Sequence, residues 1–108
     1  MRVAAVTSDL MIYSRVESAA TAAGASLIRL DSPTDLPKEV ELVLVDWSAR
    51  EPRWAGALIT SRDSSNARLI MFGQHTDLEA HAAARAVGVG PMWARSRLLT
   101  HLNDLMHG

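Results

Sequence analysis

The side chain best placed for chemistry is Asp46, which directly follows the most apolar run of the chain, Leu42-Val43-Leu44-Val45. A carboxylate at the end of a buried strand stands where a reacting or metal-binding group would stand. Asp is equally at home as a helix N-cap or turn residue, and position alone does not separate the two readings. Three further segments follow apolar runs in the same way: Thr7-Ser8-Asp9, Gly73-Gln74-His75 and Arg95-Ser96. Asp9 adds a second carboxylate at the same edge. Thr7 and Ser8 offer hydroxyls to a phosphate, although the stretch lacks the dense run of glycines and hydroxyls of a phosphate loop. Ser8 and Ser48 read more simply as helix caps. The histidines, His75, His81, His101 and His107, include no i,i+4 pair and no acid–His cluster at metal-site spacing, so they read as surface residues. No nucleophile elbow, dinucleotide fingerprint or P-loop is present.

These residues need a scaffold, and the hydrophobic pattern supplies one. Val3 to Val6, Ser26 to Leu30, Leu42 to Val45 and Leu69 to Phe72 are short, β-branched or aliphatic runs ended by polar or turn residues. Such runs read as buried parallel strands. Pro91 to Ala94 is a weaker fifth. Between them, Leu10 to Ala23 carries Ile12, Val16, Ala19, Ala20 and Ala23 at helical spacing, and Gly24 is a good stop. Pro52 suits the first turn of a helix reaching about Ser61, with Arg62 to Asn66 as a polar loop. Thr76-Asp77-Leu78-Glu79 spells a capping box opening a helix to about Val87, with Gly88 as its stop. Gly88 and Gly90 fit turn geometry. Ser96 is the expected cap of a last helix whose stripe is Leu98, Leu99, Leu102, Leu105 and Met106. Two prolines leave room for only a short helix between Asp31 and Glu39. The alternation implies an α/β fold, a three-layer sandwich around a five-stranded parallel sheet in the flavodoxin-like order 2-1-3-4-5.

Composition sets the outer limits. The chain has 108 residues, 11 basic and 12 acidic side chains and no cysteine. The whole of it, 1–108, reads as a single domain. A hydrophobic share of 48% excludes a disordered chain, and a net charge of -1 argues against binding nucleic acid by bulk charge. The absence of cysteine excludes disulfides, thiol catalysis and thiolate metal sites. Apolar runs are far too short for a membrane helix, and the start shows no signal peptide. A cytoplasmic protein is expected.

On these residues the chain resembles a receiver domain of the response-regulator family, the chemotaxis-type fold, across almost its full length. Leu42 to Trp47 resembles the third strand ending in the phospho-accepting aspartate, which makes Asp46 the candidate acceptor. Asp9 resembles an acidic metal ligand, so Asp9 and Asp46 form the implied magnesium site. Arg95-Ser96 falls where the family has Lys-Pro, and Pro52 and Gly56 keep the spacing of the following helix. The departures bear on mechanism. One acid, Asp9, stands where receivers have two. Neither Phe72 nor Gly73 carries the hydroxyl expected after the fourth strand. Arg95 replaces lysine with a planar fork. The loop from Asp46 to Pro52 is two residues longer than the family's.

The resemblance therefore implies a degenerate receiver, a non-enzymatic signalling module without a cofactor, with Ser8, Gly73 and Arg95 lining its pocket. Because the chain stops after the last helix, it is expected to stand alone. Its partner would be a sensor kinase or an output protein, or a second copy in a homodimer. Arg85, Trp93 and Arg97, with His101 and an outward-pointing Leu99, make the candidate interface. Trp47 is expected at the rim of the sheet edge, and Trp54 and Trp93 partly buried. Arg50, Arg53, Arg95 and Arg97 bias the pocket edge positive. The alternatives are a working receiver phosphorylated on Asp46, in which case magnesium is required, and a flavodoxin-like cofactor or nucleotide binder using Thr7, Ser8 and the loop from Gly73 to Thr76.

Overall fold

The computed structural model describes residues 1–89 and 91–107, so the turn expected at Gly90 lies outside the described residues. Along the chain run β1 (Arg2–Val6), α1 (Leu10–Ala23), β2 (Ser26–Leu30), β3 (Leu42–Asp46), α2 (Pro52–Ser65), β4 (Arg68–Gly73), α3 (Leu78–Ala86), β5 (Trp93–Ala94) and α4 (Arg95–Met106). Short 3-10 turns at Pro33–Asp35 and Trp47–Ala49 join them. The strands form one five-stranded sheet in the order β2-β1-β3-β4-β5, and every pairing is parallel. This is the flavodoxin-like α/β architecture that the alternating pattern implies.

Strand alternation divides the core in two. Val3, Ala5, Leu42, Leu44, Ile70 and Phe72 face α1 and α4, where they meet Ile12, Val16, Leu98 and Leu102. Ala4, Val6, Val43, Val45 and Met71 point the other way and pack with Leu58 of α2 and Ala80 and Ala84 of α3. A parallel strand covered on both faces is apolar along its length, as Leu42 to Val45 are, and β3 is buried from end to end, Asp46 included. β2 departs from that expectation. It lies at the sheet edge with β1 as its neighbour, and Arg29 and Ile28 are exposed. An edge strand tolerates a charge, which also discourages further strand pairing.

Helix ends depart from the sequence reading by small shifts. Asp9, not Ser8, caps α1, and its Oδ1 accepts from the amides of Met11 and Ile12. Asp77, not Thr76, caps α3 by accepting from the Ala80 amide. Ser96 caps nothing, because α4 starts at Arg95 and its N-cap, Ala94, has no side-chain acceptor. α2 runs on through the expected loop to Ser65 and ends at Asn66 in the left-handed region. Its polar last turn is held by one tertiary and one local hydrogen bond. Arg62 Nη1 donates to the Gly88 carbonyl at 2.8 Å, and Ser64 Oγ donates to the Thr60 carbonyl at 2.8 Å. β5 is shorter than Pro91 to Ala94, with only Trp93 and Ala94 in register with β4.

Gly24 ends α1 at φ 71°, and its amide bonds the carbonyls of Ala20 and Thr21. A Cβ there would meet no neighbour, so only the backbone conformation opposes it. Gly24→Ala is therefore expected to cost about 1 kcal/mol in urea unfolding, with no change in secondary structure.

Candidate functional site

Register places the site. Val6 pairs with Val45, so the next residues, Thr7 and Asp46, emerge side by side at the carboxyl edge. Both share the strand face of Val3, Ala5, Leu42 and Leu44, the side covered by α1 and α4. Arg95 opens α4 directly after β5 and reaches over the same edge.

Asp46 is 5% exposed, and so is Thr7. Each Asp46 oxygen meets its own set of donors. Oδ1 accepts from the Ser48 amide at 3.2 Å and from the Ser48 hydroxyl. Oδ2 accepts from the Thr7 hydroxyl at 3.4 Å and faces Arg95 Nη2 at 4.0 Å. The Thr7 oxygen in turn accepts from the Asp9 amide at 3.1 Å. Asp46 thus caps its own 3-10 turn and closes a buried network across β1, β3 and α4. A buried carboxylate is tolerable only when so satisfied.

The other expected pocket residues are less closely drawn in. Asp9 spends Oδ1 on the α1 amides. Ser8 is exposed. Gly73 is buried against Met92, whose sulfur would stand 3.0 Å from a Cβ added there, so this position serves packing. Phe72 pairs with Asp46 across the sheet and belongs to the core. Arg95 keeps its Nε buried without a partner. Among the described residues no group of three or more His, Asp or Glu side chains converges to hold a metal ion. The pair Asp9 and Asp46 fits magnesium poorly, because one carboxylate serves a helix cap and the other a set of donors.

The tryptophans correct the sequence reading. Trp47 is 2% exposed rather than at the rim, and its Nε1 donates to the Ala80 carbonyl at 3.1 Å. Trp54 is also buried, and its Nε1 lacks a partner. Trp93 is half-buried. The Arg97 guanidinium lies 4.2 Å from its ring centroid, and His101 meets it edge-on at 5.8 Å. Arg85 is exposed at the last turn of α3. Leu99 does not join Arg97 and His101. Two residues from each, it is turned about 200° around the helix. It packs instead, partly buried, against the core cluster shared by α1 and α4, and borders a cleft lined by Arg15, Ser18 and Ala19 of α1.

Sequence reasoning picked out Asp46 and Thr7 separately but missed their contact and that of Ser48. The signal was available, since strands paired in parallel put the residues after Val6 and Val45 together.

No family model matches the chain, and no curated protein matches it. Among solved structures it is similar to the crystal structure of an adenylate cyclase from Rhodopirellula baltica. That match has a TM-score of 0.64 and 15% identity, and covers 98% of this chain and 87% of the other. A likeness at that identity is one of fold, and the fold it supports is the five-stranded flavodoxin-like sandwich.

Proposed function

We propose that the chain is a receiver-like module that acts through protein–protein contacts and is not phosphorylated in the usual way. The supporting observation is the donor set around Asp46. Phosphoryl transfer to a carboxylate needs a free oxygen, a bridging divalent cation and compensation of developing charge. Here Oδ1 is held by Ser48, and Oδ2 by Thr7 and the neighbourhood of Arg95. A phosphoryl group would have to break that network and would find Asp9 turned to its helix. In this reading the module is not an enzyme and carries no cofactor. Its partner is a sensor kinase, an output protein or a second copy, met at the face of Trp93, Arg97, His101 and Arg85.

Incubation with acetyl phosphate and magnesium, followed by intact mass measurement, tests the reading. The expected result is an unmodified chain. A stoichiometric phosphoryl adduct that disappears in Asp46→Asn would overturn it and establish Asp46 as an acceptor.

A further inference from the structure

A groove of about 460 Å³ runs between the start of α2 and the outer side of α3. That size lies within the range of small-ligand sites, which are mostly apolar with a few polar groups. Trp47, Pro52, Ala55, Ala83 and Val87 supply apolar walls. The alanines are short, which leaves the space open, and Val87 is exposed beside it.

One cation lines this groove. Arg50 is half-buried, donates from Nη1 to the Trp47 carbonyl at 3.2 Å, and holds its guanidinium 5.9 Å from the Trp47 ring centroid. Among the described residues no carboxylate pairs with it. Neutral partners therefore fix its position while most of its N–H donors remain for an anion. Glu51 also lines the groove. It is more than half exposed and engages Arg53 at 3.8 Å. Its negative charge at the lip opposes a second carboxylate on the ligand.

We propose that this groove binds a small monocarboxylate with an apolar tail. The carboxylate meets Arg50, and the tail lies against Ala55, Ala83 and Val87. Ser48 borders the same groove and donates its hydroxyl to Asp46, so occupancy adjoins the candidate functional site without depending on whether Asp46 is phosphorylated.

Sodium hexanoate is the probe, titrated into the intact chain with the Trp47 indole N–H and the Ser48 amide followed by NMR. A saturable shift is expected at about millimolar concentration, as befits a ligand of so few atoms. Arg50→Gln is expected to weaken binding about tenfold. Val87→Trp fills the groove and is expected to abolish the shift while leaving Arg50 in place. Hexanamide is expected to produce no saturable shift, and hexanedioate a weaker one. The proposal fails if hexanoate does not saturate, if hexanamide matches it, if hexanedioate exceeds it, or if either variant binds like the parent chain.

Discussion

Trp47→Ala is expected to lower the unfolding free energy by about 3–5 kcal/mol, the range for truncating a buried tryptophan. The side chain is 2% exposed and lies in the core cluster under α2 and α3. Its removal costs more than packing area, because α3 has little else to hold it. That helix is nine residues long and alanine-rich, and it buries only Ala80 and Ala84. Alanine side chains contribute little apolar area each, so the indole that fills the space beside them sets where α3 rests. The Trp47 Nε1 bond to the Ala80 carbonyl adds direction to that contact. Trp47→Phe keeps most of the ring and loses the bond, for an expected cost of about 1–2 kcal/mol. Urea unfolding followed by circular dichroism gives both values independently of indole fluorescence. Hydrogen exchange should show the α3 amides losing protection first in Trp47→Ala, since a weakly anchored helix opens locally before the domain does. A loss below about 1 kcal/mol with α3 still protected would show that the helix is anchored elsewhere.

The same residue shows where sequence reading stops. The strands were legible because their apolar runs are continuous and bounded by turns; their parallel pairing followed from the alternation with helices, and five strands in a chain of this length suited the order 2-1-3-4-5. Asp46 and Thr7 were legible as edge residues for the same reason. Trp47 was not. A tryptophan following a strand end suits a rim equally well, and only the Ala-rich surface of α3, contributed by a segment 33 residues later, draws it inward. Helix caps failed on a finer scale. Ser8 and Asp9, or Thr76 and Asp77, are adjacent good caps, and the backbone's exit angle from the preceding strand or turn selects one. The end of α2 failed because Arg62 finds the Gly88 carbonyl, a tertiary partner that no local pattern announces. Leu99 failed because an apolar residue on a helix can face a neighbouring helix as readily as an outer interface, and α1 supplies that neighbour.

Asp46→Ala is expected to destabilise the chain by about 2–4 kcal/mol, and the sign of that change matters more than its size. In a pocket built from converging carboxylates, removing one relieves repulsion and stabilises the fold. Here the surroundings are donors. Without the carboxylate, the buried Thr7 hydroxyl, the Ser48 amide and hydroxyl, and the guanidinium of Arg95 all lose an acceptor at once. Asp46→Asn retains an oxygen for Ser48 but can turn an amide N–H₂ toward Arg95, so its expected cost is smaller, about 1–2 kcal/mol. Arg95→Ala should cost under about 1 kcal/mol, because its side chain is 35% exposed and its Nη2 stands 4.0 Å away, where solvent screens the pair. The expected order of loss in urea unfolding is therefore Asp46→Ala, then Asp46→Asn, then Arg95→Ala. An Asp46→Asn variant more stable than the parent would mean that negative charge is strained at this edge. A strained carboxylate is one that a cation and a phosphoryl group could relieve, and the case for a module that works without phosphorylation would then fall with the ranking.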